Sequence, residues 1–207
     1  FMGNAHSIAY SASASVFGTT IRPRLEMVCD LSPDRASQRA TNLGFSNYTS
    51  DWAEVVNNPA VELISVCTPN DTHAEISIKA LAAGKHVWCE KPMSTSLEDS
   101  VAMANAAANS SCKTIIGYNY TKNPAVTHAR HLIEQGAIGR VAGFFCRYDV
   151  DNEADGSRPW SWRMSRDKSG TGANGDVLSL VISVAHYLSG STITRLSGDI
   201  AIVHPPV

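Results

Sequence analysis

Lys91 is the residue of this sequence whose type and position point most directly to chemistry. It follows an apolar run that begins at His86, and it stands between Glu90 and Pro92. A lysine at the end of a buried strand is a candidate for contact with a substrate or a cofactor, because its ammonium group stabilises an alkoxide as hydride leaves a carbon that bears a hydroxyl. A desolvated amine also accepts and releases protons, so Lys91 is a candidate acid or base.

A strand–helix–strand unit is predicted to position this lysine. The apolar runs that begin at Leu63 and His86 both stop at polar residues and a proline, which is typical of parallel strands whose carboxyl ends open into a ligand crevice. Residues 71–84 between them are predicted to form a helix that ends at a glycine. The unit therefore brings the segments 68–70 and 90–92 to the same edge of one sheet.

The chain up to residue 120 alternates short apolar runs with helical patterns, and the connections have only a few residues. Besides the central unit, strands are predicted over 25–29 and 114–117, and helices over 3–13, 33–42, 52–57 and 97–108, the last with Ser94 as its N-cap. This alternation is typical of a doubly wound parallel sheet, which is the α/β fold class we expect.

The pattern changes near residue 120. The later elements are predicted as helices over 125–134 and 176–188 and antiparallel strands over 141–150 and 193–203. We therefore expect two domains: residues 1–120, which would lack a first strand, and residues 121–207, the start of a second α/β domain. The sequence opens and closes within predicted elements, so we expect further segments before Phe1 and after Val207.

Composition excludes several classes of function. The 207 residues include 43% hydrophobic and 17% charged residues, which is ordinary for a globular protein with its own core. A net charge of -2 gives no basic surface for nucleic acid, and no apolar run approaches the roughly 20 residues that span a bilayer. The five scattered cysteines indicate a reducing, cytoplasmic compartment rather than a disulfide framework, and no cluster of residues predicts a metal site.

Gly3 and Asp30 stand where a dinucleotide would bind. Gly3 precedes a predicted helix and can end a phosphate-binding turn, in which the amino end of the helix faces a pyrophosphate. Asp30 follows the strand over 25–29, where a carboxylate accepts hydrogen bonds from an adenosine ribose, unless it is an ordinary loop aspartate. Because a carboxylate repels a 2′-phosphate, NAD is favoured over NADP, although Arg35 nearby would weaken that preference.

Three further residues have both a functional and a structural interpretation. Asp176 follows the glycine-rich segment 170–175 at the start of a predicted helix, so it is either a site residue or only an N-cap. Arg163 could contact a phosphate or a substrate oxygen, or cover the ring of Trp162. His73 lies next to the crevice, where structural hydrogen bonding is favoured over catalysis.

Several segments carry a resemblance to a known family. They are 1–6, 68–73, 89–92, 119–120 with 123–125, 161–163 and 170–176. In these segments the sequence resembles the GFO/IDH/MocA oxidoreductases, most closely their bacterial sugar dehydrogenases, and the motifs T-P-N-D-T-H and C-E-K-P are the most specific. The resemblance covers essentially the whole chain. It implies a Rossmann domain followed by an α/β domain with an open-faced, mainly antiparallel sheet.

The resemblance also implies roles for individual residues. Lys91 and Asp176 would be two members of a catalytic group whose third member is a histidine, but Leu180 stands at that position and Ser183 replaces a further aspartate. Since leucine neither accepts nor donates a proton, Lys91 would have to act as the base. The residues implied to contact NAD are Phe1, Met2, Gly3, Asp30, Thr68, Pro69, Asn70, His73, Glu90, Lys91, Asn119, Trp162 and Arg163.

The expected function is an NAD-dependent dehydrogenase that transfers hydride between a secondary alcohol of a sugar, sugar derivative or inositol and the nicotinamide. Two alternatives stay open. One is an NAD-dependent glycosidase of the same family, which oxidises, eliminates and re-reduces its substrate. The other is a nucleotide-binding protein with little catalysis, because of Leu180. By analogy with the family, we expect a homodimer or homotetramer in the cytoplasm, with no nucleic-acid or membrane partner.

Overall fold

The computed structural model describes residues 1–151 and 159–201 of the chain. The chain forms two compact units, Phe1–Gly117 and Tyr118–Val207. The first unit alternates strands and helices. Its strands are β1 (Met27–Cys29), β2 (Asn47–Thr49), β3 (Leu63–Val66), β4 (His86–Cys89) and β5 (Thr114–Ile116). Its α-helices are α1 (Met2–Phe17), α2 (Pro33–Leu43), α3 (Trp52–Asn57), α4 (His73–Ala82) and α5 (Leu97–Ala108), and a 3-10 turn, Asn70–Thr72, precedes α4.

The strand pairs of this unit are all parallel. β1 pairs with β2, with Met27 opposite Asn47, and a second sheet has the order β3-β4-β5. Val66 lies opposite Cys89, and Cys89 lies opposite Ile116, so β3, β4 and β5 end level with one another. The expected parallel sheet flanked by helices is thus confirmed, and the polar segments after β3 and β4 leave the sheet at one edge.

The strand β2 has no counterpart among the predicted elements. It has only three residues, and Asn47 and Thr49 are polar, so no apolar run marks it in the sequence. Backbone pairing makes it a strand: Asn47 N donates to Glu26 O at 2.9 Å, and Asp30 N donates to Thr49 O at 3.3 Å. A strand of this kind is specified by its neighbour in the sheet and not by its own side chains.

The core of the first unit lies where α4 packs against β3, β4 and α5. It is a cluster of buried, mostly branched apolar side chains: Val56, Val61, Ile64, Val66, Ala74, Ile76, Ala80, Leu81, Val87, Cys89 and Met103. Alternate residues of β3 and β4 point into this cluster, and burial of each large apolar side chain contributes roughly 1.5–3 kcal/mol. This packing fixes the point at which each of the two strands ends.

The sequence predicts Ser94 as the N-cap of α5, but in the structure the N-cap is Ser96. Ser96 Oγ accepts a hydrogen bond from Asp99 N at 3.0 Å, whereas Ser94 Oγ donates to Ser96 O at 2.6 Å. The first helical residue is Leu97. Only the residue directly before it has a side chain that reaches the third amide of the helix, so the cap falls at position 96.

The second unit consists of helices and irregular segments over the residues that the structure describes. The helical elements are α6 (Pro124–Glu134), α7 (Arg166–Ser169), α8 (Ser179–Ser189), the π-helical turn Asn174–Leu178 that leads into α8, and the 3-10 turns Asn119–Lys122 and Trp162–Met164. α8 packs against α6 and the first of these 3-10 turns. Among the helices described in either unit, none is long and apolar enough to cross a membrane.

The strands predicted over 141–150 and 193–203 are not formed in the described part of the chain. Residues 141–151 and 191–201 are irregular there, and residues 202–207 lie outside the described residues. Apolar alternation predicts which face of a strand is buried, but a strand also needs a hydrogen-bonded neighbour, and the described residues of this unit provide none. Apolar side chains of these segments are accordingly exposed, Phe145 and Leu196 among them.

Candidate active site

His73, the first residue of α4, ties together the segments that follow β3 and β4. Its Nδ1 lies 2.8 Å from Pro92 O and its Nε2 lies 3.0 Å from Thr68 O, and the residue is 1% exposed. Both partners are acceptors, so the ring donates to both only when both of its nitrogens carry a proton. The geometry favours a positioning role for His73 over the direct contact with NAD that the resemblance implies.

Glu90 provides a buried carboxylate at the end of β4. Its Oε1 lies 3.0 Å from Nε2 of His6 on α1, and the two side chains are only 9% and 6% exposed. A carboxylate accepts hydrogen bonds and cannot donate them, so His6 Nε2 carries the proton in this contact. The pair joins α1 to the strand end that carries Lys91.

The other ring nitrogen of His6 continues this network into β3 and back to α1. His6 Nδ1 lies 3.1 Å from Ser65 Oγ, and Ser65 Oγ lies 2.7 Å from the hydroxyl of Tyr10. With Nε2 as the donor to Glu90, a neutral His6 ring accepts at Nδ1 from Ser65, which in turn accepts from Tyr10. Burial raises the pKa of Tyr10, which keeps its hydroxyl protonated as a donor. The four side chains thus form a polar chain that is buried at His6 and Glu90 and half-buried at Ser65 and Tyr10, and each member has a partner.

The Glu90 carboxylate fits at this place because residue 117 is a glycine. A Cβ at Gly117 would lie 2.7 Å from Glu90 Oε1 and 2.9 Å from its Cδ, which is closer than Cβ contacts normally come. The backbone N of Lys91 lies 3.3 Å from Oε2. The carboxylate is therefore enclosed by the end of β5, by His6 and by its own strand.

Lys91 follows this anchored carboxylate and is half-buried. The peptide bond between Lys91 and Pro92 is cis, and Pro92 is buried. On the neighbouring segment, Thr68 is exposed, Pro69 is half-buried and Asn70 is buried. The arrangement places a lysine at the level ends of two parallel strands, where its amine can hydrogen-bond a hydroxyl and, once protonated, stabilise negative charge on the oxygen.

Asp30 lies directly after β1 and has two arginine partners on α2. Its Oδ1 accepts from Arg35 Nε at 3.0 Å and from Ser32 N at 3.2 Å, and its Oδ2 lies 3.4 Å from Arg39 Nε. Partial burial acts to raise the pKa of Asp30, but the Ser32 amide and the two guanidinium groups outweigh it and hold that pKa below its ordinary value. Asp30 is therefore an ionised acceptor at the strand end where an adenosine ribose is expected.

The start of α1 adjoins Asp30 and its two arginine partners. Phe1 is the N-cap position, Met2 is the first helical residue, and Arg39 Nη1 donates to Asn4 Oδ1. A Cβ at Gly3 would come no closer than 4.0 Å to another side chain, which is an ordinary contact. Packing within the protein does not require glycine here, and the space at this helix start fits a ligand that approaches the backbone.

The remaining predicted site residues lie in the second unit. Asn119 opens a 3-10 turn, and the guanidinium carbon of Arg163 lies 4.5 Å from the centre of the Trp162 ring, so Arg163 covers that ring. Asp176 lies inside the π-helical turn and is not an N-cap. Leu180 is buried in the first turn of α8.

Both units match described domains of one family. Residues 1–118 match the family described as "Oxidoreductase family, NAD-binding Rossmann fold", and residues 126–207 match the "GFO/IDH/MocA C-terminal domain". The chain belongs to the GFO/IDH/MocA oxidoreductase family. The first unit is accordingly the Rossmann domain of this family, as the resemblance implies.

Similar proteins include sugar and inositol dehydrogenases. Levoglucosan dehydrogenase of Pseudarthrobacter phenanthrenivorans is 40% identical over 191 residues, which are 92% of this chain and 49% of that protein. The scyllo-inositol 2-dehydrogenase (NAD(+)) of Bacillus subtilis is 30% identical over 186 residues, 89% of this chain and 52% of that protein. The solved structure of levoglucosan dehydrogenase in complex with NADH and levoglucosan has a TM-score of 0.89 and 40% identity, and the match covers 92% of this chain and 52% of that one. The chain thus spans about half the length of these relatives.

The sequence analysis gives no site role to several residues that support this site. They are His6, Tyr10, Ser65, Arg39 and Gly117. Two signals could have identified part of the set. Ser65 interrupts an apolar strand run, and a buried hydroxyl needs a partner. His6 and Tyr10 are four residues apart and therefore share one face of α1. The described residues contain no group of three or more His, Cys, Asp or Glu that could hold a metal ion.

Proposed function

We propose that this chain carries the nucleotide-binding part and the catalytic lysine of an NAD-dependent dehydrogenase acting on a CH–OH group of a sugar, sugar derivative or inositol. The observation that carries the proposal is Lys91, at the end of a parallel strand beside the anchored carboxylate of Glu90. The family, and the activities after which the relatives are named, support the reaction type and the class of substrate.

The residues at the carboxyl edge of the first unit fit a dinucleotide. Asp30 offers ionised carboxylate oxygens for the ribose hydroxyls, and the start of α1 at Gly3 offers backbone amides and open space for the pyrophosphate. When bound, NAD would accept the hydride at its nicotinamide. Thr68, Pro69 and Asn70 remain proposed contacts, as do Phe1, Met2, Glu90, Asn119, Trp162 and Arg163.

As a neutral amine, Lys91 would accept a hydrogen bond from the reacting hydroxyl, and the ammonium that forms as the proton moves would stabilise the negative charge that develops on the oxygen as hydride leaves. The lysine would itself have to receive the hydroxyl proton, because Leu180 stands at the position where the resemblance implies a histidine, and a leucine transfers no proton. We assign Asp176 the role of orienting the substrate or the lysine.

Glu90 would act through Lys91 and not on the substrate. Its carboxylate is fixed by His6 on one side and by the absence of a side chain at Gly117 on the other. Because Glu90 Oε2 lies 3.3 Å from the backbone N of Lys91, the fixed carboxylate restrains the backbone from which the lysine side chain extends. Such restraint is what a catalytic group needs in order to meet a reacting atom at a defined distance.

The test is the appearance of reduced nicotinamide absorbance when the protein and NAD are mixed with levoglucosan, scyllo-inositol and a panel of other sugars and inositols. We expect turnover with at least one compound, and a loss of roughly 10²–10⁴-fold in kcat for Lys91→Ala. Lys79→Ala, which removes an exposed lysine of α4, is the matched control and should leave the rate unchanged. Equal activity of wild type and Lys91→Ala would contradict the proposal.

Leu180 favours a second candidate, a nucleotide-binding protein with little turnover. Tight NADH binding without activity across the whole panel would support it. A third candidate is an NAD-dependent glycosidase of the same family. Release of the aryl group from an aryl glycoside, with no net formation of NADH, would support it.

We also propose that the protein is a cytoplasmic homodimer or homotetramer. The cysteines at positions 29, 67, 89, 112 and 146 are free thiols, which fits a reducing compartment. Light scattering coupled to gel filtration gives the oligomeric state, and a monomeric mass would contradict that part of the proposal.

A further inference from the structure

His73 is a buried ring that faces two carbonyl oxygens. Its Nδ1 lies 2.8 Å from Pro92 O and its Nε2 lies 3.0 Å from Thr68 O. No ion pair that the described residues make includes His73. A neutral imidazole has one N–H and one lone pair, so at one of these contacts the lone pair of the ring would face that of a carbonyl at hydrogen-bond distance. Only the doubly protonated ring, an imidazolium, donates to both carbonyls.

Opposing effects act on a positive charge at this position. Burial removes water from the imidazolium, and His73 is the first residue of α4, where the amino end of the helix dipole is itself positive. In favour of the charge, a neutral ring would leave one buried carbonyl without a donor, and a charged donor makes a hydrogen bond about twice as strong as a neutral one. The charge of the ring therefore depends on whether both carbonyls are in place.

The other titratable groups around α4 do not hold the ring. Glu75 and Lys79 of the same helix are exposed and pair with each other at 3.4 Å. Burial raises the pKa of the Cys67 thiol and that of the Cys89 thiol to about 12, so both thiols are neutral. The remaining groups on the elements and segments packed against α4 make no hydrogen bond or ion pair with His73 in the described structure: Glu54, Asp71, His86, Glu90, Lys91, Glu98 and Asp99. A change in the charge of His73 therefore acts through the two carbonyls.

We propose that His73 is a positioning residue that carries a second proton when the segments 68–70 and 90–92 are both in place, so that nucleotide affinity falls when this proton is lost at higher pH. The inference rests on the proposed function, in which both segments meet the nucleotide. A nucleotide that holds both segments brings both carbonyls to the ring and favours its protonation, and by linkage the proton favours the nucleotide. Once the second proton is lost, the ring keeps one N–H and releases one of the two segments.

Nitrogen-15 NMR of the His73 ring in the wild-type chain counts its protons directly, with the signal assigned by through-bond correlation to the backbone. In the NADH complex at neutral pH we expect both ring nitrogens to have the shifts of an imidazolium. Addition of NADH should move the titration of this ring to higher pH. A ring that is neutral in the complex, with one protonated nitrogen and one lone pair, would overturn the inference, and this result depends on no variant.

Calorimetric titration with NADH from about pH 6 upward, through the range in which histidines titrate, measures the affinity. For the wild type we expect the Kd to rise about tenfold as the ring loses its second proton, because one buried carbonyl loses a charged donor. His73→Asn and His73→Gln do not titrate, and each amide keeps a donor for one carbonyl, Pro92 O or Thr68 O respectively. Both variants should bind NADH as weakly as the wild type at high pH, with less than about threefold change across the range. His128→Asn, at an exposed position of α6, should keep the wild-type profile.

The competing account is that His73 is a neutral ring with a purely structural role. In that case the asparagine and glutamine variants would follow the same pH profile as the wild type, which would overturn the inference and leave the proposed function intact. A wild-type Kd that stays constant across the range has the same meaning. Failure of NADH to bind the folded wild-type chain at every pH, with folding judged by circular dichroism, would overturn both.

Discussion

At the scale of single residues, the Glu90 carboxylate is a charged group in a buried position, and its neighbours explain why it is stable there. His6 donates to Oε1, and the His6 ring is held in turn by Ser65 and Tyr10. Removal of the hydrogen-bond donor to a buried carboxylate is costly, because the carboxylate then stays desolvated without a partner. The Glu90 carboxylate also depends on the absence of a side chain at Gly117, because a Cβ there would come too close to it.

We therefore expect His6→Leu to destabilise the protein by about 3 kcal/mol, because it leaves the Glu90 carboxylate buried without its hydrogen-bond donor. The double variant His6→Leu with Glu90→Gln should be more stable than His6→Leu alone, since a neutral amide tolerates burial better than a carboxylate. Urea unfolding followed by circular dichroism gives these free energies and their coupling.

Glu75→Gln, which neutralises an exposed carboxylate of α4, is the control for loss of a negative charge. Its free energy of unfolding should stay within about 0.5 kcal/mol of the wild type. Strictly additive effects of His6→Leu and Glu90→Gln would show that the two side chains do not stabilise each other.

The residues themselves were predictable from sequence to different degrees. Lys91 is recognisable because a lysine at the end of an apolar run, between a glutamate and a proline, is unusual for a solvated surface residue. Its support by His6 depends on a contact between residues 84 positions apart, and no local pattern encodes such a contact. The second arginine at Asp30 is a similar case, because Arg39 reaches it only through the orientation of α2 beside β1.

At the scale of elements, the strand–helix–strand unit from β3 to β4 follows directly from the sequence. Its strands are apolar, its helix ends at a glycine, and Val66 lies opposite Cys89 in the parallel register. β2 is not predictable in this way, since its pairing partner and not its side chains makes it a strand. The strands predicted over 141–150 and 193–203 are not formed, for the converse reason. Apolar and polar residues alternate in these segments, but the described residues provide no neighbouring strand with which they could pair.

The contact of α4 with both strand ends gives a prediction at this scale. His73→Leu would remove the ring that lies between Thr68 O and Pro92 O, at a cost of roughly 1–3 kcal/mol for each buried carbonyl that loses a donor. The segments 68–70 and 90–92 would then move independently, so we expect the Kd of NADH to rise at least tenfold. Hydrogen exchange of these two segments should become faster, and NADH titration at a temperature well below unfolding measures the affinity.

His128→Leu on α6 removes an exposed histidine and is the matched control, which should leave NADH affinity unchanged. A loss of stability in His73→Leu with unchanged NADH affinity and unchanged exchange of both segments would restrict His73 to a role in folding.

At the scale of the whole molecule, the expected catalytic residues are distributed over both units. Lys91 belongs to the Rossmann unit, whereas Asp176 and Leu180 belong to the second unit, which matches the C-terminal domain of the family. The proposed role of the second unit in turnover rests on these two positions. Its position 180 carries a buried leucine where the resemblance implies an acid or base.

Leu180→His tests whether this one position limits the reaction. If Lys91 now works without its usual partner, a histidine four residues after Asp176 should raise kcat roughly 10²-fold, because general acid–base help is typically worth 10²–10⁴-fold. The pH profile of kcat should gain a limb near the ordinary histidine pKa of about 6.5. Leu180→Gln places a polar group that does not titrate at the same buried position, so it separates proton transfer from polarity. A histidine variant that is no faster than the glutamine variant would show that Lys91 already performs the proton transfer unaided, or that turnover is limited elsewhere in the reaction.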